Sequence, residues 1–439
     1  MMRDAERIGR IVDGLRDAGL DALVVAHPSN VLLASGYWPV LGTAIAIVNR
    51  DGAVGVLAPE DERELADRGW ADDLRTVSPG SLDALTPLDD VVRAPLGAML
   101  ERLGVARGRV GYERGPLLEP SSYAGVNRYG AALPDLIAHA APAARLAGGD
   151  ALLHRLRAVL TRREIDCVRH ACRIAGEAYC AGTRAIQVGA AEREVAAAFR
   201  AALAAASSAG ASSVAAPATA ASSGGATSAG ATSAGATSAD VAPVGADETD
   251  VRAGGFFFCM SGPDAAHAGR AYARSSDRPL AGGDLVLVHC NTCLGGYWTD
   301  ITRTFILRPA HDRARELHEA VLAARGAALD ALVPGARAAD VDGAARAVLA
   351  RHGLAHAFTH GTGHGVGFAA IDGNARPRLH PASPDVLEAG MVMNVEPAAY
   401  LAGFGGVRHC DVVALGATGA ELLTPFQSDA GELRLEGRA

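Results

Sequence analysis

The stretch LVHCNTCLGGYWTDITRTF, residues 287–305, decides the fold of this chain. The apolar residues before His289 are typical of a buried strand and Leu294-Gly295-Gly296 of a turn. The aromatic and β-branched residues from Tyr297 onward are typical of a returning strand. A hairpin that turns about Leu294-Gly295 places His289 directly opposite Asp300, and opposed residues have Cβ atoms roughly 4.5–5.5 Å apart. The stretch therefore predicts a β-hairpin whose polar side chains share one metal ion or one substrate atom.

A second predicted hairpin, from Met391 to Leu415, repeats this arrangement. Its outgoing strand is apolar but carries Glu396, and a turn about Gly403 sets Glu396 opposite Cys410 on the returning strand. Burying a polar group without a partner costs about 1–3 kcal/mol. Polar residues on otherwise apolar strands therefore indicate a functional site.

Between the two hairpins lies the glycine-rich segment HGTGHGVGF, residues 360–368. Histidines recur at intervals of four residues, at His352, His356, His360 and His364, which would place them on one helix face. The glycines between them break such a helix. Only His364, in its Gly-His-Gly context, is predicted to take part in a site.

Four motifs in this order carry a family resemblance: GYWTDITRTF, HGTGHGVGF, GMVMNVEPAAY and GGVRHCDVV. They resemble the pita-bread peptidase family M24, which includes methionine aminopeptidase, Xaa-Pro aminopeptidase, prolidase and the metal-free member creatinase. The resemblance covers the chain from about Asp150 to its end, and the part before it resembles the smaller domain of prolidase and creatinase. It implies an α/β creatinase-type N-terminal domain at 1–145 and an α+β pita-bread catalytic domain at 150–430.

The resemblance also implies a metal site, with two departures from the family pattern. The family holds two ions with five ligands, and Asp300, His364 and Glu396 stand at three of these positions. His289 replaces an aspartate and Cys410 replaces a glutamate. With fewer negative charges, this set suits one borderline-soft ion such as zinc better than a pair of manganese or cobalt ions. Because creatinase works without metal, a metal-free site stays open.

Further catalytic residues follow from the same resemblance. His267, in SGPDAAHAGR, matches a histidine that lies above the family's active site and hydrogen-bonds the scissile carbonyl or shuttles a proton. Histidine has a suitable intrinsic pKa for this work near neutral pH. Arg408 matches an arginine that binds the substrate carboxylate or the ligand network. His267, His364, Glu396 and Arg408 are therefore the predicted catalytic residues.

Outside the motifs, the sequence predicts alternating helices and strands in the N-terminal part. A helix is expected at Ala5–Gly19, and Val31–Tyr37 resembles the strand-entry segment of the family. A long helical region after Asp150 is expected to break near Thr161, and a later helix is expected to end at Ala206.

Residues 206–246 differ from the rest of the chain in composition. They are almost entirely Ala, Ser, Gly and Thr, with three tandem GATSA units at Gly225–Ala239. Such a segment cannot bury enough apolar surface to offset the entropy of ordering it. The sequence predicts a flexible insertion within the catalytic domain.

The composition of the chain argues against several classes of protein. The net charge is −8 and no basic stripe stands out, which argues against nucleic acid as a partner. No run of 18 uncharged apolar residues occurs, so no membrane span is expected, and the N-terminus lacks the pattern of a signal peptide. Seven cysteines in a large chain favour a reducing cytoplasm over a disulfide framework. The resemblance adds the expectation of a homodimer.

These observations predict a cytoplasmic hydrolase that cleaves an amide-type C–N bond in a peptide or a small amide-type substrate. An Xaa-Pro aminopeptidase or dipeptidase with an altered metal site comes first. Two alternatives stay open: a metal-independent amidinohydrolase or cyclic-amidine hydrolase that resembles creatinase, and a pseudoenzyme that binds peptides.

Overall fold

The structure is a computed structural model and describes residues 3–40, 44–78, 88–114, 132–213, 253–269, 274–370 and 375–436. The elements of its N-terminal part alternate as the sequence predicts. They are α1 (Ala5–Asp17), β1 (Ala22–Val25), α2 (Pro28–Ser35), β2 (Ile45–Asn49), β3 (Val54–Pro59), α3 (Arg63–Asp67), β4 (Asp73–Val77), α4 (Leu88–Arg102), β5 (Arg109–Tyr112), α5 (Ala132–Ala140) and β6 (Arg145–Gly148).

These strands form one mixed sheet in the order β4-β3-β2-β1-β5-β6. Strand β1 lies at its centre, antiparallel to β2 and parallel to β5, with Leu23 opposite Val48 on one side and Gly111 on the other. All four residues of β1 are buried, as expected for a strand that is covered on both faces. The predicted α/β domain is thus present.

The segment predicted as a strand entry after Asn30 is instead the helix α2, so that expectation was wrong. Local chemistry explains the helix. Pro28 stands at the first helical turn, and the side chain of His27 accepts a hydrogen bond from the backbone N–H of Ser29. Gly36 closes the helix in the left-handed conformation with φ of 71°. Proline in the first turn and glycine just past the last turn are common at the two ends of a helix.

A buried ion pair joins the first helix to the part that follows. The guanidinium of Arg7 binds both carboxylate oxygens of Glu164, and both side chains are at most 1% exposed. Glu164 also forms a capping box with Thr161, whose hydroxyl donates to Asp4. This box begins α7 after α6 has ended at Ala158, so the predicted break near Thr161 is confirmed.

In the described ranges, the second part of the chain carries nine strands or α-helices before the glycine-rich segment and eight short strands from that segment onward. The first group is α6 (Asp150–Ala158), α7 (Arg162–Gly182), α8 (Glu192–Ser213), β7 (Ala253–Ser261), β8 (Leu285–Leu294), β9 (Tyr297–Trp298) and β10 (Ile301–Leu307). The helices α9 (Asp312–Asp330) and α10 (Ala338–Arg351) come next. The last group is β11 (Gly363–His364), β12 (Arg378–Leu379), β13 (Val392–Val395), β14 (Ala398–Leu401), β15 (Gly405–Arg408), β16 (Asp411–Leu415), β17 (Ala420–Leu422) and β18 (Arg434–Leu435).

The main sheet of this part has the order β18-β10-β8-β7, with β9 paired to β8. Helices α7 and α8 pack on it through an aromatic cluster that includes Tyr179, Phe199 and Phe257. The hydroxyl of Tyr179 donates to the backbone carbonyls of Val288 and Ile301, at 3.0 and 3.1 Å. One buried phenol therefore holds both strands of the first hairpin.

Helix α8 runs to Ser213, which is longer than predicted. The expected end at Ala206 was wrong because alanine is the strongest helix former and continues the helix into the low-complexity segment. At the predicted end, Ser207 is buried and its hydroxyl donates to the carbonyl of Leu203. The rest of the predicted flexible insertion, residues 214–246, lies outside the described residues. Within the ranges described above, no helix is both long and apolar enough to cross a membrane.

Candidate metal centre

The turn of the first hairpin sets which side chains meet. In strand β8, Leu294 lies opposite Tyr297 of β9 and His289 lies opposite Thr302 of β10. The predicted pairing of His289 with Asp300 was therefore wrong by two residues. The reason is that Gly295 and Gly296 both adopt positive φ, at 56° and 87°, so they form a two-residue hairpin turn centred between them.

In this register His289, Asp300 and Thr302 still lie on one face of the hairpin, because residues at period two share a face. The Nδ1 atom of His289 is 3.7 Å from Oδ1 of Asp300. The predicted proximity of these two side chains is confirmed, although Asp300 is two residues away from Thr302, the residue that lies directly opposite His289.

The two hairpins meet where their strands are interrupted. Asp300 lies in the gap between β9 and β10, and Glu396 lies in the gap between β13 and β14. Cys410 falls between β15 and β16, and its backbone bridges to Thr302 of the other hairpin through two hydrogen bonds of 3.0 and 3.2 Å. The gaps leave these three side chains at one point instead of spread along continuous strands.

Three of the predicted ligands form a cluster. Asp300, Glu396 and Cys410 each offer one ligand atom, and these atoms lie within 4.8 Å of one another. The Nε2 atom of His364 is 3.7 Å from Oδ2 of Asp300 and 3.9 Å from Oε1 of Glu396. Two carboxylates and a thiol thus form one cluster, and an imidazole lies beside the two carboxylates.

His364 is oriented for coordination by its neighbours. Its Nδ1–H donates to the carbonyl of Gly365 at 3.0 Å, which leaves the lone pair on Nε2, the atom that faces the carboxylates. A carbonyl on the far ring nitrogen is a common way to fix a metal-binding histidine. Position 363 requires glycine because an added Cβ would lie 2.0 Å from the carbonyl oxygen of Asn394.

Cys410 is a neutral thiol in the absence of a cation. Burial raises the pKa of this thiol well above its ordinary value, and the carboxylates of Asp300 and Glu396 raise it further. Its Sγ lies 3.0 Å from the backbone oxygen of Asp300. A bound metal ion reverses this balance, since a coordinating thiol is deprotonated.

Both ring nitrogens of His289 have polar partners, and one of these partners is a charged guanidinium. Arg408 donates to Nδ1 at 2.8 Å, and Nε2 lies 3.1 Å from Oδ1 of Asn291. The hydroxyl of Thr302 is 2.9 Å from Nδ1. Burial lowers the pKa of His289 to about 4, with Asp300 opposing and Arg408 adding to the effect. The ring is therefore neutral at physiological pH.

Arg408 is buried in the centre of the site and is permanently charged. Its Nε donates to Thr302 at 3.0 Å and its Nη1 lies 3.8 Å from Oε2 of Glu396. Burial alone would lower its pKa, but Tyr400, Glu396 and Asp300 keep that pKa raised. The predicted location of Arg408 beside the ligands is what the structure shows.

His267 occupies a more open position than the other predicted residues. It ends the 3₁₀ helix Gly262–His267 and is exposed. This helix packs against β15 so closely that a Cβ on Gly406 would lie 2.3 Å from the carbonyl of Ala265. A Cβ on Gly269, two residues beyond His267, would lie 2.8 Å from the ring of Tyr400. His267 is thus near the centre but outside the ligand cluster.

The sequence predictions missed two residues, His360 and Tyr400. The carbonyl of Gly361 accepts from Nδ1 of His360 at 2.8 Å, so Nε2 accepts the hydroxyl of Tyr400 at 3.1 Å. Burial lowers the pKa of His360 and raises the pKa of Tyr400 to about 12. Tyr400 follows Glu396 at period two, and this same-face spacing was the available signal. His360 was set aside with the exposed His352 and His356.

Comparison with known proteins then decides the family. The profile described as "Metallopeptidase family M24" matches residues 166–417, which is more than half of the chain.

The chain belongs to metallopeptidase family M24.

A second profile, described as the creatinase/prolidase N-terminal domain, matches residues 7–159. Both the predicted family and the predicted combination of an N-terminal domain with a pita-bread catalytic domain are confirmed.

Relatives match over the full length. The chain is 28% identical to the Xaa-Pro dipeptidase of Pyrococcus furiosus over 424 residues, which covers 97% of this chain and 99% of the relative. The solved prolidase from the same organism superposes with a TM-score of 0.66 at 25% identity, covering 94% and 98% of the two chains. An X-Pro aminopeptidase from Thermotoga maritima, at 19% identity, has a TM-score of 0.72 over 97% and 99% and shows the shared fold.

The side chains present fit one metal ion but not the pair that the resemblance implies. With one divalent ion, the charges of Asp300, Glu396 and a Cys410 thiolate balance those of the ion and of Arg408. A second ion would leave two uncompensated positive charges in a buried site, which is strongly unfavourable.

Proposed function

We propose that this chain is a hydrolase that cleaves the amide bond preceding proline in short peptides, with one divalent ion, zinc before manganese or cobalt. Asp300, His364, Glu396 and Cys410 would hold the ion. The observation that carries the proposal is the cluster of Asp300, Glu396 and Cys410, with Nε2 of His364 beside both carboxylates, in a chain that matches an Xaa-Pro dipeptidase over 97% of its length.

A bound ion in this site supplies a Lewis acid, which polarises a carbonyl and lowers the pKa of a water molecule. Glu396 is the group placed to move the proton. Its side chain is 12% exposed and faces His364 on one oxygen and Arg408 on the other. Hydrolysis forms a C–O bond from water to the carbonyl carbon and breaks the C–N bond. The proton from water passes to a Glu396 oxygen and then to the leaving nitrogen.

His267 and Arg408 are proposed to act on the substrate side. His267 is exposed, two residues before Gly269, which packs on the ring of Tyr400, and its imidazole would donate to the scissile carbonyl. The guanidinium of Arg408 lies 3.8 Å from the second oxygen of Glu396 and orients that carboxylate.

The experiment that tests the function measures proline release from Xaa-Pro dipeptides. Protein stripped with a chelator is reloaded separately with zinc, manganese and cobalt, and Xaa-Ala dipeptides serve as matched substrates. Zinc-loaded protein is expected to release proline, and both the stripped protein and Asp300→Asn are expected to be inactive. Activity that survives exhaustive chelation would favour the metal-free amidinohydrolase. A folded, metal-loaded protein without activity on any of these peptides would favour the peptide-binding pseudoenzyme.

We also infer a homodimer in the cytoplasm, and both statements rest on the sequence alone. Analytical ultracentrifugation of the purified chain checks the first, with twice the 44.8 kDa chain mass as the expected value. A monomer at micromolar concentration would contradict it.

A further inference from the structure

We propose that His289 is not a metal ligand but a positioning residue that holds the guanidinium of Arg408, so that the altered position keeps the site to one ion. This inference rests on the proposed function for the single ion at Asp300, His364, Glu396 and Cys410. The hydrogen bonds that carry it do not depend on the ion.

The first step is the direction of the hydrogen bonds at His289. A guanidinium has donors and no acceptor, so Nδ1 has to accept from Arg408. The proton of the neutral ring is then on Nε2, where it donates to Oδ1 of Asn291 at 3.1 Å. A neutral imidazole has one lone pair for coordination, and Arg408 together with the hydroxyl of Thr302 already uses it.

The second step compares His289 with His364. The lone pair of His364 is on Nε2 and faces two carboxylates at 3.7 and 3.9 Å. The lone pair of His289 is on Nδ1 and faces a cation. A metal ion at His289 would therefore have to displace a buried, permanently charged guanidinium from its acceptor. At His364 it would displace only the neutral amide of Asn394, which lies 3.2 Å from Nε2, and would face two carboxylates.

The third step is what Arg408 loses without His289. The Arg408 side chain is 9% exposed, and its partners are Thr302, His289, Tyr400 and Glu396, the last at 3.8 Å. Removing the acceptor at position 289 takes away the hydrogen bond that Nη2 of this buried charged group now makes, which is costly. An asparagine at this position keeps an acceptor where Nδ1 now lies, but an amide is a poor ligand for zinc.

The variants His289→Asn and His289→Ala separate positioning from coordination. Zinc affinity is measured by competition with a chromophoric chelator, and the cobalt-substituted protein gives an absorption spectrum of the ligand set. His289→Asn is expected to bind zinc within about threefold of wild type and to keep the cobalt spectrum, because the amide oxygen still accepts from Arg408 and none of the ligands is changed. A larger loss of affinity, or a changed spectrum, would overturn the proposal.

A metal-free arm tests the contact with Arg408 directly. In the presence of chelator, His289→Ala is expected to melt a few degrees below wild type, and His289→Asn is expected to recover most of that difference. If the two variants have the same Tm, His289 does not position Arg408.

A measurement on the wild-type protein remains decisive if both variants fail to fold. X-ray absorption of the zinc-loaded chain counts imidazole ligands, and no more than one is expected. Two imidazoles would place His289 on the ion and overturn the proposal. Zinc binding and imidazole count use zinc alone, so they are independent of the peptide assay; absence of proline release would refute the proposed function and leave this result standing.

Discussion

At the scale of single residues, His289 and Cys410 determine how much negative charge the site offers to a cation. His289 contributes no negative charge, and Cys410 contributes one only after it loses its proton to a bound cation. Arg408 adds a fixed positive charge among them. The protein can therefore be expected to bind one ion, and binding should release a proton from Cys410.

Replacing Cys410 tests its part in the ligand set. Cys410→Ser is expected to weaken zinc binding by more than the roughly 10–100-fold typical of a second-shell partner, because it removes the soft ligand. The control is Cys290→Ser on the first hairpin, which is equally buried but has Thr292 as its hydrogen-bond partner. Chelator competition measures both affinities. Equal affinities for the two variants would exclude Cys410 from the metal site.

Replacing His267 tests the residue that faces substrate. His267→Ala is expected to lower kcat by about 10²–10⁴-fold, the usual contribution of a general acid–base group. Its Tm should stay near that of wild type because the side chain is exposed. His352→Ala, another exposed histidine, is the control. Near-wild-type turnover of His267→Ala on a confirmed substrate would remove this residue from the mechanism.

At the scale of elements, the sequence predicts which strands exist better than how they are registered. The apolar and β-branched runs predict both hairpins, and Glu396 lies opposite Cys410 in the continued register of β13 with β16, where Val395 faces Asp411. The first hairpin is displaced by two residues because its turn depends on the φ angles of two glycines. Strand pattern alone does not show which of two adjacent glycine-containing turns forms.

The strand interruptions at the site depend on contacts that are distant in sequence. Asp411 binds Arg303 of β10 at 2.8 Å and also binds Arg325 of α9, and its carboxylate is fully buried. Burial alone would raise the pKa of Asp411, but Arg303, His409 and Arg325 hold that pKa well below its usual range. This ion cluster anchors β16 one residue after Cys410, a constraint that short-range sequence patterns do not contain.

Asp411→Asn tests this anchor. The free energy of unfolding is expected to fall by about 3–5 kcal/mol, because breaking a buried pair leaves an uncompensated charge. Glu421→Gln is the matched control: Glu421 pairs with Arg169 at the surface, with side chains 54% and 41% exposed, and surface pairs contribute about 0–1 kcal/mol. Chemical denaturation measures both. A loss for Asp411→Asn no larger than that of the control would show that the cluster does not anchor β16.

At the scale of the whole molecule, the resemblance predicts the two-part architecture from four short motifs. The ion pair of Arg7 with Glu164 that joins the parts could not be inferred, because the residues are separated by 157 positions and neither stands in a motif.

The fold also buries several histidines in neutral form. Burial lowers the pKa values of His318 and His360, as it does for His289 and His409.

This set of buried histidines predicts how stability depends on pH. The unfolded chain binds protons at histidine near pH 6.5, whereas the folded protein does not until the pH is lower. Stability is therefore expected to fall as the pH drops below about 6.5. His318→Gln keeps a donor to the carbonyl of Thr304, which now accepts from His318 at 2.9 Å, but cannot titrate. Its Tm should fall less than that of wild type between about pH 7 and pH 5; parallel curves would contradict the assignment.

The number of ions that the protein holds tests the single-ion site most directly. The purified chain is stripped, reloaded with excess zinc, manganese or cobalt, passed through a desalting column and analysed for metal per chain alongside activity. One tightly held ion per chain is predicted, with zinc retained best, because two carboxylates and one thiolate balance one divalent ion and Arg408. Two manganese or cobalt ions per chain, with activity that requires both, would contradict the single-ion site and place this chain among two-metal peptidases.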